Sequence, residues 1–162
     1  MSGRGIRIGQ GFDVHRFGAG DHVMLGGVRI SHTHGVEAHS DGDVVLHALI
    51  DAILGAAALG DIGHHFPDKD PQWAGADSSD LLRRALKDVQ AAGWYPVNVD
   101  CTILAERPRI AMHVPAIREH ISDVLDVSVN AVSVKATTME SMGFIGQGEG
   151  LAAMAVALLE NA

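Results

Sequence analysis

The chain has 162 residues, the length of one domain, which we place at residues 1–162. Its 12 Lys and Arg against 20 Asp and Glu leave a formal net charge of −8, which argues against nucleic acid as a partner because nucleic-acid binders need a concentrated basic face. A single cysteine, Cys101, excludes an internal disulfide and is typical of a reducing cytosol. The most apolar run, residues 44–59, is too short for a membrane span. We therefore expect a cytoplasmic protein with no membrane partner.

The first half of the chain alternates apolar patterns with glycine-rich turns. Apolar residues at even positions predict a strand over residues 7–14, with Phe12 and Val14 facing the core. A Gly-Gly pair predicts a hairpin within residues 23–30. An apolar helix then runs to residue 59, with Ser40 or Asp41 as its cap and Asp43 in its first turn. Residues 61–77, rich in Gly and Pro, predict a long functional loop.

The second half predicts two helices and two or three strands. A helix begins after a cap at Asp77 or Ser78 and ends at Gly93. A strand follows over residues 97–104, then a helix over residues 109–125 that Pro115 splits or kinks. Residues 129–138 predict another strand, residues 139–150 a glycine-rich loop, and residues 151–159 a closing strand or helix.

This order of elements predicts an α+β fold, with helices packed on one face of a mixed β-sheet. The opposite face of the sheet also needs cover. In a chain of this size with an apolar closing segment, a neighbouring subunit often provides it.

The first indication of chemistry is a pair of polar residues in the first strand. Asp13 and His15 are two positions apart, so their side chains leave the same face of the strand. Such a pair is half of a metal site, although a hydrogen-bonded surface pair is the alternative interpretation.

His47 strengthens the metal interpretation because it interrupts an otherwise apolar helix. With Asp43 and Asp51 it forms a stripe at i, i+4 and i+8, so carboxylates flank the imidazole and one of them is expected to accept from its second nitrogen. Asp13, His15 and His47 would together supply two nitrogens and one oxygen, a set that suits zinc with an open fourth position. A hydrogen-bonded core histidine is the alternative for His47, and the pair His32 and His34 is the rival metal site.

Two further segments have the composition of phosphate sites. His39 and the residues after it precede a helix N-terminus, which offers unpaired N–H groups, although a plain helix cap explains the same residues. Thr137 and Thr138 precede Glu140 and a run of glycines, a combination that favours phosphate oxygens and a hard cation such as Mg²⁺.

Five motifs, taken together, identify a family. They are Gly11-Phe12-Asp13-Val14-His15, residues 38–43 with Leu46-His47-Ala48, residues 59–63, Phe66-Pro67-Asp68, and Lys135-Ala136-Thr137-Thr138. In this order they closely resemble the 2-C-methyl-D-erythritol 2,4-cyclodiphosphate synthase family. The resemblance covers residues 6–159.

The resemblance implies a homotrimer with active sites at subunit interfaces and sheets around a central axis. It implies zinc on Asp13, His15 and His47, a second ion (Mg²⁺ or Mn²⁺) held by Glu140 and the substrate diphosphate, and catalytic roles for His39 and Thr138. Of these residues, Asp13, His15, His39, Thr138 and Glu140 would also contact the substrate. The further substrate contacts that the resemblance implies are Val14, Ser40, Asp61, Ile62, Gly63, Phe66, Pro67, Asp68, Lys69, Asp70, Ala105, Glu106, Arg107, Pro108, Arg109, Ile110, Ala111, Thr137, Met139, Phe144 and Gln147.

The activity implied is the conversion of 4-diphosphocytidyl-2-C-methyl-D-erythritol 2-phosphate to 2-C-methyl-D-erythritol 2,4-cyclodiphosphate and CMP, in non-mevalonate isoprenoid biosynthesis. The 2-phosphate would attack the β-phosphate with metal assistance, so the protein needs no nucleophile of its own. A zinc hydrolase and a trimeric ligand-binding protein without turnover are the alternatives. The chain departs from the family at three positions, where Arg109 replaces a frequent Lys, Met139 a frequent Thr, and Gln147 a frequent Arg on the trimer axis.

Overall fold

A computed structural model describes residues 4–162. Its strands are β1 (Ile6–Gly18), β2 (His22–Leu25), β3 (Val28–Ser31), β4 (Gly35–Val36), β5 (Trp94–Leu104), β6 (Val132–Thr137) and β7 (Gly150–Asn161). Five of them form a sheet in the order β4-β1-β7-β5-β6, and β2 and β3 form the predicted hairpin. Only β5 and β6 run parallel, so the sheet is mixed as predicted. The closing segment, for which strand and helix were both open, is a strand.

The helices are α1 (Val44–Ala56), α2 (Ile62–His65), α3 (Ser78–Ala91), α4 (Val114–Leu125) and α5 (Gly143–Gly146). α1 packs on β1 and β7, and α3 packs on α1. A 3-10 turn over Ala111–His113 precedes α4, so the split predicted near Pro115 is confirmed. Another 3-10 turn, Val129–Ala131, delays the start of β6 to Val132. No helix within residues 4–162 combines the length and the apolar character needed to cross a bilayer.

The N-terminus of α1 differs from the prediction. The helix begins at Val44 with Asp43 as its N-cap, not Ser40 or Asp41, and it ends at Ala56 rather than residue 59. The Asp43 carboxylate is fully buried and accepts from the backbone N–H groups of Leu46 in α1 (3.0 Å) and of Gly26 and Gly27 in the hairpin turn (2.9 and 2.7 Å). Asp43 therefore joins the hairpin to the helix.

The prediction that Phe12 and Val14 face the core is wrong. Phe12 is 49% and Val14 39% exposed, because the odd-numbered residues of β1 are the ones that face α1. The physical reason is glycine. A Cβ on Gly9 would lie 1.9 Å from the Ala52 carbonyl oxygen, and one on Gly11 would lie 1.8 Å from that of Ala48. The backbones of β1 and α1 thus touch directly, and the larger side chains point away.

The outer face of the sheet is consequently apolar and exposed. Cross-strand partners share a face, and Phe12 pairs with Met154 while Gln10 pairs with Val156. The exposed apolar residues of β1 and β7 on this face are Ile6, Ile8, Phe12, Val14, Met154 and Val156. A patch of this kind marks an interaction surface.

Candidate metal centre

Asp13, His15 and His47 converge where β1 contacts α1. Asp13 Oδ2 lies 3.0 Å from His47 Nδ1 and 3.2 Å from His15 Nε2, and one ligand atom from each residue lies within 4.8 Å of the other two. The three side chains are therefore close enough to share one ion, as predicted. They form the only such group of three among residues 4–162, and the rival pair, His32 and His34, instead packs beside the Phe17 ring.

The hydrogen bonding of the three residues fits a cation. His15 Nε2 is buried and has no hydrogen-bond partner of good geometry, although Asp13 Oδ2 is nearby. A buried polar atom without a partner is costly, and a bound metal ion would satisfy it. Two imidazole nitrogens and one carboxylate oxygen are ligands that zinc accepts.

The electrostatics of the cluster couple Asp13 to the histidines. Burial alone would raise the pKa of Asp13, but the hydrogen bond from His47 and the charges of His15 and His47 outweigh it and lower that pKa to about 2. Burial likewise works to lower the pKa of His47, yet the carboxylate of Asp13 raises it above its usual 6.5. A divalent cation bound in place of the protons between Asp13 and the histidines would balance the same negative charge, that of the Asp13 carboxylate.

The carboxylates expected to flank His47 do not contact it. Asp43 is occupied as the cap of α1, and Asp51 accepts the backbone N–H of Ile62 at 2.7 Å. The Nε2 atom of His47 instead lies 2.8 Å from Ser78 Oγ and 3.2 Å from Ser40 Oγ. The prediction of a carboxylate on the second nitrogen is wrong, because side chains at i−4 and i+4 lie along the helix surface whereas the ring points across to α3.

A cavity of about 190 Å³ opens beside the three residues. Besides Asp13, His15 and His47 it is lined by predicted substrate contacts, namely His39, Ser40, Ile62, Gly63, Phe66 and Asp68. Trp73 and Leu81 complete the lining and were not predicted. Six predicted substrate contacts thus share one cavity with the three candidate metal ligands.

The remaining predicted contacts divide between a second cavity and the surface. Residues 105–111 with Thr137 and Thr138 line a separate cavity of about 560 Å³, to which Ala136 also contributes. The catalytic residues predicted together, His39 and Thr138, therefore lie in different cavities of one chain. Glu106 does more than line the second cavity, since its Oε1 accepts the backbone N–H of Met139 at 2.7 Å.

Several predicted residues line neither cavity. Phe144 and Val14 border a smaller one of about 240 Å³ that includes His15. Asp61 caps α2, and Asp70 caps the 3-10 turn that follows. The others lie on exposed or half-buried loop surface and are Pro67, Lys69, Met139, Glu140 and Gln147. Gln147 donates from its side-chain nitrogen to the Ser141 carbonyl oxygen at 2.7 Å.

His65 and His120, which lie outside the cluster, are both hydrogen-bonded. His65 Nε2 contacts the Leu59 carbonyl oxygen at 2.9 Å, and His120 Nε2 contacts Ser79 Oγ at 2.8 Å. Cys101 packs in the core, where burial raises the pKa of its thiol to about 12. That thiol is therefore a packing group of the core.

The fold and the cluster define an α+β domain with a candidate divalent-metal centre at a strand–helix contact. The profile of the YgbB family matches residues 6–160, and the chain belongs to that family. A relative from Alcanivorax borkumensis, named 2-C-methyl-D-erythritol 2,4-cyclodiphosphate synthase, is 60% identical over 156 residues, which cover 96% of this chain and 98% of the relative. A relative of the same name from Chromohalobacter salexigens is 61% identical and is covered to 95%, as is this chain.

Solved structures show the same architecture. The bifunctional IspDF of Campylobacter jejuni superposes with a TM-score of 0.95 at 42% identity, over 99% of this chain and 43% of that longer one. IspF of Plasmodium falciparum, solved as a complex with CDP, superposes with a TM-score of 0.85 at 36% identity over 97% of both chains.

Proposed function

We propose that this protein converts 4-diphosphocytidyl-2-C-methyl-D-erythritol 2-phosphate to 2-C-methyl-D-erythritol 2,4-cyclodiphosphate and CMP. One observation carries the proposal: in a member of this family, the cluster of Asp13, His15 and His47 opens into a cavity lined by six of the residues that the resemblance assigns to substrate contacts. The relatives named above carry the name of this activity.

The reaction needs geometry more than a protein nucleophile. An oxygen of the 2-phosphate forms a bond to the β-phosphorus, the bond from that phosphorus to the bridging oxygen breaks, and CMP leaves with the electron pair. Holding the two phosphates in line supplies much of the rate, because the entropy needed to bring the reacting groups together is already lost when the substrate binds. In this proposal His39 at the first cavity and Thr138 at the second orient the reacting phosphates.

Asp13, His15 and His47 would hold zinc, and Glu140 would hold Mg²⁺ or Mn²⁺ together with the diphosphate. Bound there, the ions supply Lewis-acid neutralisation of phosphate oxygens. The need for it follows from the charge of the chain, which is −8 and offers few basic groups to so anionic a substrate.

The cytidine part would bind in the second cavity. Ala105 to Ala111 supply backbone groups and Arg109 a positive charge at its rim, and a solved relative is described as a CDP complex. The guanidinium of Arg109 meets phosphate oxygens as a planar fork, unlike the point charge of a lysine.

A homotrimer would join the two cavities. Asp13 and Ile103 both pair with Ala153, so β1 lies two strands from β5 and three from β6, roughly 10 to 14 Å at usual strand spacing. None of residues 4–162 lines both cavities. A neighbouring chain that covers the exposed apolar sheet face would bring its second cavity to this chain's first one, and the active site would form at the interface.

Phosphorus NMR of the protein with the cytidine substrate, Zn²⁺ and Mg²⁺ tests the proposal. The expected result is one equivalent each of CMP and cyclic diphosphate. Open-chain phosphates would identify a hydrolase instead, and unchanged substrate would identify a binding protein. Either outcome contradicts the proposed function.

A further inference from the structure

The side of His47 that faces away from Asp13 contacts a pair of residues to which the proposed function gives no role. His47 Nε2 lies 2.8 Å from the hydroxyl of Ser78, which is fully buried. That hydroxyl in turn donates to Asp41 Oδ1, and the backbone N–H of Ser78 donates to Asp41 Oδ2 at 3.0 Å. The three side chains form a continuous chain of hydrogen bonds.

The direction of each hydrogen bond follows from the aspartate. A carboxylate only accepts, and Asp41 also accepts the backbone N–H of Asp43 at 3.1 Å. The hydroxyl hydrogen of Ser78 therefore points to Asp41, which leaves Ser78 Oγ as the acceptor for an N–H on His47 Nε2. An imidazole with its hydrogen on Nε2 carries its lone pair on Nδ1, the atom that faces Asp13.

We infer that Ser78 and Asp41 are positioning residues that fix the His47 ring with Nδ1 presented to the metal. The inference rests on the proposed metal site. Hydrogen bonds from the second nitrogen of a ligating histidine set both its tautomer and its ring orientation. Here a serine lies between the histidine and a carboxylate, whereas the sequence pattern predicted a carboxylate in direct contact with the histidine.

The backbone holds this chain of hydrogen bonds in place. Ser78 is the first residue of α3, directly after the cap Asp77, and Asp41 lies in the segment before α1. The two segments are joined by bonds from Asp41 N to the Ala76 carbonyl oxygen (3.2 Å) and from Gly75 N to that of His39 (2.9 Å). Ser40 Oγ also approaches His47 Nε2, but at the longer distance of 3.2 Å.

Zinc affinity of the full-length protein, measured by competition with a chromophoric chelator, tests the inference. Ser78→Ala is expected to weaken zinc binding about 10- to 100-fold, the usual effect of removing such a partner. Asp41→Asn is expected to weaken it as well, since a neutral amide no longer fixes the direction of the serine hydroxyl. In nitrogen NMR of the zinc-loaded protein, the slowly exchanging Nε2–H of His47 is expected in the wild type and lost in Ser78→Ala.

Ser79→Ala is the matched control, because Ser79 is the next residue, is also buried and also contacts a histidine, His120. It is expected to bind zinc as the wild type does. Wild-type affinity in Ser78→Ala, or an equal loss in Ser79→Ala, would overturn the inference. Should Ser78→Ala fail to fold, Asp41→Asn provides the test instead. Wild-type zinc affinity in Asp41→Asn would then also overturn the inference. A wild-type protein that binds no zinc would instead refute the metal site itself.

Discussion

At the scale of single residues, a metal ion at the candidate centre has to compete with protons for the same side-chain atoms. The Asp13 carboxylate holds the pKa of His47 above 6.5 in the metal-free protein, even though burial works in the opposite direction. Metal can bind Nδ1 only after the ring has lost the proton from that atom. The pKa of Asp13 is about 2, so this carboxylate remains ionised throughout the range in which His47 titrates.

Zinc affinity is therefore expected to fall as the pH falls through the raised pKa of His47, by about tenfold per pH unit for each proton displaced. Above that pKa the affinity levels off. Isothermal calorimetry in buffers of different ionisation enthalpy measures the protons released as zinc binds. An affinity that stays constant between about pH 5 and 7 would contradict the titration of His47 described here.

The three candidate metal ligands were predictable from the sequence, whereas their surroundings were not. Alternation in the strand places Asp13 and His15 on one face, and His47 is a conspicuous interruption of an apolar helix. Ser78 gave no signal, because its contact with His47 joins residues 31 apart in the chain and depends on how α3 packs on α1. The same holds for Trp73 and Leu81 in the first cavity.

At the scale of elements, one carboxylate joins α1 to the hairpin. Asp43→Ala leaves three backbone N–H groups without an acceptor, and we expect it to lower the free energy of unfolding by about 2–4 kcal/mol. Asp43→Asn keeps one acceptor oxygen and removes a buried charge, so its loss should be smaller. Urea denaturation measures both variants. An Asp43→Ala protein as stable as the wild type would show that the cap is unimportant.

The contact between β1 and α1 sets the distance between the metal ligands. In Gly11→Ala the new Cβ would overlap the Ala48 carbonyl oxygen, so the helix that carries His47 has to move away from Asp13. We expect a loss of about 1–3 kcal/mol in stability and at least about tenfold in zinc affinity. Chelator competition and urea denaturation measure the two effects.

Gly55→Ala is the control for that experiment. Gly55 lies in the same helix, and a Cβ there meets no atom within 4 Å. The substitution is expected to stabilise the protein by about 0.5–1 kcal/mol and to leave zinc binding unchanged. Equal zinc affinity in Gly11→Ala and Gly55→Ala would refute the role of the close contact.

The order and type of the main elements followed from periodicity and turn residues, but the inward face of β1 did not. Alternation shows which residues share a face and leaves open which face is buried. The apolar side chains of Phe12 and Val14 favoured the wrong choice. Gly9 and Gly11 decide the matter, since the absence of a side chain is what lets α1 approach the strand.

At the scale of the whole molecule, the exposed apolar face of the sheet and the separation of the two cavities are both relevant to whether chains associate into an oligomer. Phe12→Glu places a charge on the apolar face, and we expect it to reduce the proposed trimer to single chains. Light scattering after gel filtration measures the mass. Activity should be lost with the trimer while zinc still binds, because the three ligands belong to one chain. A wild-type protein that is active as a single chain would contradict the trimer.

Anomalous scattering at the zinc edge shows whether Asp13, His15 and His47 together hold one ion. Crystals grown with zinc should show a single strong peak at this contact, about 2.0–2.2 Å from Asp13 Oδ2, His15 Nε2 and His47 Nδ1. Crystals of the His47→Ala variant should lack it. A wild-type crystal with no peak at these atoms, or a variant that keeps the peak, would contradict the account.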